Sequence, residues 1–265
     1  MVNQTTGPKT SSRHPQTIVM IHGMCAGAWC WDEYKTFFEK KGYICRTPNL
    51  RHHGVDPAEP PPVGLGSTSV TDYIEDLEAL IRGMEEKPII MGHSMGGLLA
   101  QKLAEKGLAK RLVLLTPAQP WGINVLCYSV IRSFAGLFQR WRFWSRPYRL
   151  SFNAAVYAPM QLLPVDQQKS LYDKLVWESG RVVCEIGMWF LDPKKASRVD
   201  EAKVTCPVLI LAGSKDRMTP AAVVKKIRKK YHHVATYREF DQHGHWIIGE
   251  QGWERTAEFI CDWLE

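Results

Sequence analysis

Seven residues, Met91-Gly92-His93-Ser94-Met95-Gly96-Gly97, restrict this chain more than any other stretch. They contain a Gly-x-Ser-x-Gly motif, with glycines two places before and two places after Ser94. The apolar run Pro88-Ile89-Ile90-Met91 precedes it and reads as a buried strand. Leu98 to Lys106, rich in Leu, Ala and Lys, follows and reads as a helix. A serine at the tip of so tight a strand-to-helix turn sits in strained backbone, and side chains two residues away would collide. The hydroxyl then projects beyond the sheet, and the Met95 N–H lies at a helix N-terminus, where it can stabilise negative charge. The competing reading is a serine that only caps a helix after a Gly-rich turn.

The pattern around this turn sets the fold class. Thr17-Ile18-Val19-Met20-Ile21 reads as a strand ending at the turn His22-Gly23, followed by the small-residue loop Met24 to Trp31. Asp32 to Lys41 reads as a helix stopped by Gly42, and Tyr43 to Thr47 as a strand. A Pro- and Gly-rich loop runs from Asp56 to Ser69. Val70, Ile74, Leu77 and Ile81 then recur at helical spacing opposite Asp72, Glu75, Asp76 and Glu78. Arg111 to Leu115, Pro207 to Leu211 and Val234 to Phe240 read as strands, and Ala221 to Lys230 and Gln251 to Leu264 as helices. Alternating strands and helices imply a mostly parallel, doubly wound α/β sheet covered on both faces, with ligands bound beyond the carboxyl ends of the strands.

Trp121 to about Lys195 interrupts the alternation with helical, aromatic sequence. We therefore expect a core of residues 16–120 and 200–265, an inserted helical cap at 121–199, and a loose tail at 1–15. Between Trp121 and Val165 there is no acidic residue, but there are Arg132, Arg140, Arg142, Arg146 and Arg149. The cap reads as a lid over an apolar substrate, or as a basic amphipathic surface for a membrane or another protein. The five arginines would favour an anionic group in the substrate, provided they face it.

Composition excludes other classes. The 265 residues are 45% hydrophobic and 23% charged, ordinary for a globular protein, and no apolar run approaches a membrane span. The polar Met1 to Gln16 does not read as a signal peptide. Seven scattered cysteines without a C-x-x-C point to buried packing in a reducing cytosol, not to zinc or a disulfide framework. The net charge of +7 lacks a nucleic-acid pattern, and its basic block, Lys225 to Lys230, reads as a solvated helix face.

A serine nucleophile needs a base, and the base needs an orienting acid. Asp216 lies in the turn Ala212-Gly213-Ser214-Lys215-Asp216 after an apolar strand, with Asp241 as a weaker alternative. Asp241-Gln242-His243-Gly244-His245-Trp246 offers two histidines close enough to exchange roles in sequence. His22, His52, His53 and His93 read as supporting or turn residues rather than bases.

These stretches together resemble the α/β-hydrolase family, in its branch of compact serine esterases. His22-Gly23-Met24 resembles the family's oxyanion loop. Asn49-Leu50-Arg51-His52-His53-Gly54 resembles its D-x-R-G-H-G loop, with His52 in place of the usual Gly. Gly92 to Gly97, Ala212 to Asp216 and Gly244-His245-Trp246 are similar to its nucleophile, acid and histidine motifs. Gly27-Ala28-Trp29-x-Trp31 is similar to the corresponding loop of plant-type methylesterases and related bacterial esterases. The likeness covers residues 16–120 and 200–265, and not the cap.

The resemblance implies the α/β-hydrolase fold with Ser94 as nucleophile, His245 as base and Asp216 as acid. It implies oxyanion donors at the Met24 and Met95 N–H groups, and substrate contacts at His22, Gly23, Trp29, His93 and Trp246. The expected activity is hydrolysis of carboxylic esters of small to medium apolar or aromatic substrates through an acyl-Ser94 intermediate, without cofactor or metal. Alternatives on the same scaffold are lactone opening, C–C hydrolysis, perhydrolysis, or a ligand receptor with little turnover. The expected partner is a small-molecule ester, with no nucleic acid and no stable membrane insertion; the location is cytoplasmic.

Overall fold

The computed structural model describes residues 15–125, 127–138, 140–232 and 234–265. All but the last residue of the expected tail at 1–15 lies outside the described residues. Strand β1 (Thr17–Ile21) is followed by helix α1 (Asp32–Lys40), β2 (Ile44–Arg46), α2 (Val70–Arg82), β3 (Ile89–His93), α3 (Met95–Glu105) and β4 (Arg111–Leu115). A long excursion then carries α4 (Tyr128–Phe138), β5 (Pro147–Tyr148), α5 (Phe152–Tyr157), α6 (Val165–Asp173), β6 (Glu178–Ser179) and α7 (Gly180–Gly187). The chain returns through β7 (Val208–Gly213), α8 (Ala221–Lys230), β8 (Ala235–Phe240) and α9 (Trp253–Leu264).

Six strands form one parallel sheet in the order β2-β1-β3-β4-β7-β8. Its central strands are apolar without a break because both faces are covered. Alternate residues sort to opposite sides. Val19, Ile21 and Ile90 pack with the buried faces of α2, α3 and α8, whereas Ile18, Met20 and Met91 pack with those of α1 and α9. Helix α2 starts where a capping box permits it. The Ser69 hydroxyl accepts from the Asp72 N–H at 3.2 Å, and the Asp72 carboxylate accepts from the Ser69 N–H at 2.7 Å.

The strand order reverses between β1 and β3, which lie side by side with Ile21 opposite Gly92. The loops leaving these strands therefore diverge over a crevice at the carboxyl edge, where open α/β sheets bind ligands. Residues 121–199 are not purely helical, since β5 and β6 pair antiparallel. That two-strand ladder sits close to the core loop at Gly66, where a Cβ would come within 2.7 Å of the Ser145 carbonyl oxygen. Only glycine permits this approach.

Candidate active site

Ser94 links β3 to α3 with φ 53° and ψ −120°, a conformation that costs a non-glycine residue on the order of 1–3 kcal/mol. The surroundings hold it there. Its N–H donates to the Leu115 carbonyl at 3.0 Å, and its carbonyl accepts from Gly97 at 2.9 Å and Ala118 at 2.8 Å. A Cβ on Gly92 would strike the Gly96 carbonyl, and one on Gly96 would strike the Ile21 carbonyl in β1. The two flanking glycines are thus fixed by steric contact within the turn and with the neighbouring strand.

Loops from three strands converge on this hydroxyl. His245, after β8, places Nε2 2.9 Å from Ser94 Oγ and Nδ1 2.9 Å from Asp216 Oδ2. Asp216, after β7, is 6% exposed. Burial pushes its carboxyl up, but the His245 ring and the Thr219 donors outweigh that and hold it below the usual carboxylate range. Asp216 Oδ1 accepts from the N–H groups of Met218 at 2.7 Å and Thr219 at 2.9 Å, and Oδ2 accepts from Thr219 Oγ1 at 2.8 Å. An ionised Asp216 thus faces the Nδ1 edge of His245, leaving Nε2 to accept the serine proton.

The other candidates separate clearly. His243 is turned toward Glu250, with Nδ1 2.9 Å from Oε1, so it is not placed as the base. Asp241 is exposed and accepts from Ser214 Oγ and the Gln242 N–H, and neither His243 nor His245 is hydrogen-bonded to it. His93 is buried and donates from Nε2 to the His245 carbonyl at 2.8 Å. Thr116 Oγ1 donates to the same carbonyl at 3.2 Å, so β3 and β4 together fix the backbone of the histidine loop. Burial and the nearby His245 push the His93 pKa down to about 3, so its ring stays neutral.

His22 is fully buried. Its Nε2 accepts from the Leu50 N–H at 3.1 Å, which makes Nδ1 the protonated nitrogen, and Nδ1 donates to the Gly23 carbonyl at 2.8 Å. The ring therefore shapes the loop that carries Met24, and burial lowers its pKa to about 3. At Gly23 a Cβ would stand 3.1 Å from Ser94 Cβ, so this loop runs directly against Ser94. Met95 opens α3, and its N–H has no acceptor within the helix. Met24 and Met95 both border the space above Ser94.

Two cavities meet at Ser94. The larger, about 260 Å³, runs between Met24, Met95 and Ala118 on the core side and Phe134, Ile186 and Met188 on the inserted segment. No charged side chain lines it. The smaller, about 40 Å³, is bounded by Gly23, His93, His245, Trp246, Leu150 and Met160. Of the residues expected to contact substrate, Gly23, His93 and Trp246 line this smaller cavity. His22 and Trp29 do not. His22 is sealed beneath the loop, and Trp29 stacks behind Trp246 with ring centres 5.9 Å apart. The five arginines also fail the expectation of an anion site, since none lines either cavity. Arg132 instead lies 3.9 Å over the Tyr157 ring, and Arg149 donates to the Pro57 and Tyr172 carbonyls. Among the described residues, no cluster of His, Cys, Asp and Glu is arranged to hold a metal ion.

Sequence reasoning missed Thr219, Thr116 and Glu178. Glu178 is fully buried in β6, with Oε2 3.1 Å from His53 Nε2 and Oε1 accepting from Tyr73 OH at 2.7 Å. It ties the inserted segment to the loop after β2. Thr116 and Glu178 act on partners far along the chain, and Thr219, three residues after Asp216, reads as an ordinary turn residue.

A parallel sheet with a strained serine elbow, a buried acid and a histidine from successive strand ends matches one fold family. Residues 18–259 fit the model of the alpha/beta hydrolase family, and the chain belongs to that family. Methylesterase 1 of Arabidopsis thaliana is 32% identical over 97 residues, 34% of each chain, so the chain spans about a third of the length of this curated relative. Among solved structures, an extracellular alpha/beta-hydrolase from a Paenibacillus species superposes with TM-score 0.72 at 21% identity, covering 94% of this chain and 98% of that one. The Paleococcus ferrophilus monoacylglycerol lipase superposes with TM-score 0.70 at 23% identity, covering 94% and 95%. At these identities the structural likeness is one of fold.

Proposed function

We propose that this protein hydrolyses carboxylic esters that join a bulky apolar acid to a small alcohol, through an acyl-Ser94 intermediate. The observation that carries this reading is the asymmetry of the two cavities. His245 borders the 40 Å³ cavity and not the 260 Å³ one. His245 Nε2 takes the proton from Ser94 Oγ as that oxygen attacks the ester carbonyl. The oxyanion is held by the Met24 and Met95 N–H groups, donors of a kind worth about 2.7–4 kcal/mol each in the transition state. The protonated Nε2 must then reach the departing alcohol oxygen, so the alcohol lies on the His245 side. The acyl chain takes the large apolar side.

A water molecule needs roughly 10–15 Å³, so the smaller space accepts only about three or four water-sized groups, the size of methanol, ethanol or propanol. Relatives named methylesterases agree with a small alcohol. After the alcohol leaves, water enters the same side, His245 removes its proton, and attack on the acyl carbonyl frees Ser94. Neutral lining on the acyl side favours an uncharged acid chain.

An ester series tests the assignment. With one medium-chain acid, kcat/KM should fall at least about tenfold from the methyl to the butyl ester, while among methyl esters it should rise with acyl length. Preference for long alcohols and acetyl groups would reverse the two sides.

A further inference from the structure

The inserted segment leaves an unusual set of side chains outside. Trp141 is 77% exposed, Leu191 62%, Phe190 57% and Trp144 48%. They are neighbours rather than scattered residues. The Trp141 and Trp144 rings lie 6.3 Å apart, and Trp144 and Leu191 line one open groove. Phe143 and Met188 form part of both that groove and the acyl cavity, and Phe190 lines the cavity while remaining exposed. The apolar surface therefore continues into the mouth of the large cavity.

The charge around it is predominantly positive. Arg140 and Arg142 flank Trp141 and Arg146 follows Trp144; all three are exposed, and none forms an ion pair with a described residue. The acids at the groove already have partners. Glu185 pairs with Arg181 at 2.8 Å and accepts from the Val70 N–H, and Asp192 accepts from the N–H groups of Lys194 and Ala196. Lys194 stands at the same groove.

From this we infer that the Trp141–Trp144–Leu191 face adsorbs reversibly to an anionic lipid bilayer and takes apolar esters from it. Tryptophan and arginine together suit the boundary between acyl chains and charged headgroups. A protein partner would not require unpaired arginines around every exposed tryptophan, whereas a surface of lipid phosphates does. No described helix is long and apolar enough to cross a membrane, so the contact is peripheral. Adsorption is independent of the Ser94 chemistry and is read without turnover.

The test is sedimentation of the full chain with vesicles of phosphatidylcholine alone or with about 30% phosphatidylglycerol, at low and high salt. Binding should be about tenfold tighter on the anionic vesicles and should weaken with salt. Trp141→Ser/Leu191→Ser and Arg140→Gln/Arg142→Gln should each weaken it by about tenfold, with hydrolysis of a soluble short ester unchanged. Equal binding to both vesicle types, no binding to either, or binding untouched by both double variants would overturn the inference. So would a dimer in solution that the Trp141→Ser/Leu191→Ser variant dissolves, because the face would then be covered by a second copy.

Discussion

At the scale of single residues, Ser94 and Asp216 stood out because each follows an apolar strand at a Gly-containing turn, and His245 because it lies in the Gly244 loop after the last strand and matches the family's histidine motif. That local signal is enough to place them at strand ends on one edge of a sheet. It could not separate His243 from His245, because two residues differ only in which way the loop turns them; the Glu250 carboxylate decides it. Thr219 was invisible for another reason. Its hydroxyl matters through Asp216 Oδ2 and through the Thr116 carbonyl, a partner 103 positions away. Replacing it with valine keeps the shape and removes the donor. We expect Thr219→Val to lower kcat about tenfold with little change in KM, against a loss of about 10⁴-fold for Asp216→Asn, with both variants folded. Steady-state kinetics with a thermal melt would check it; an unchanged kcat in Thr219→Val would mean that the backbone N–H donors alone orient Asp216.

At the scale of elements, the strands and amphipathic helices followed from periodicity, and the errors have physical causes. Helix α3 begins at Met95, three residues before the expected Leu98, because Gly96 and Gly97 look like helix breakers. Close packing on β1 and Pro117 overrides that preference, since larger residues would not fit. The β5–β6 ladder was not foreseen because two-residue strands have no period. It delivers Glu178 to His53 inside the protein. Burial lowers the His53 pKa, but Glu178 outweighs it and raises it above 6.5; burial raises the Glu178 pKa, but His53 and its other donors bring it below 4.5. The His53 contribution is complete below pH 6.5 and fades as pH climbs through its folded value, while the Glu178 contribution is complete above pH 4.5 and fades as pH falls through its folded value. The pair therefore stabilises most between these two values. Glu178→Gln should cost about 3–5 kcal/mol there, with a smaller gap in alkaline solution. Denaturant titrations from about pH 5 to about pH 9 would show it, and a constant gap would mean the pair is not ionised.

At the scale of the whole molecule, the strand order puts a reversal between β1 and β3, and the inserted segment closes over it. The Gly23–Met24 loop, Ser94 and the His245 loop thereby meet in one crevice, divided into a large apolar side and a small side beside His245. The fold was legible because alternation of strands and helices leaves few topologies. The division of the crevice was not, since it arises from side chains of α4, α7 and the loops facing the sheet, whose contacts no periodicity records. The sequence left open whether the arginines face substrate or solvent; none lines either cavity, whose walls would offer them neither water nor an acid.

The central claim is that Ser94 is an activated nucleophile in an open site. Intact-mass spectrometry after treatment with a serine-directed fluorophosphonate tests it most directly, comparing wild type, Ser94→Ala and Asp216→Asn. The account predicts one adduct on wild type, none on Ser94→Ala and much slower labelling of Asp216→Asn. No adduct on folded wild type, or an adduct that persists on Ser94→Ala, would contradict it.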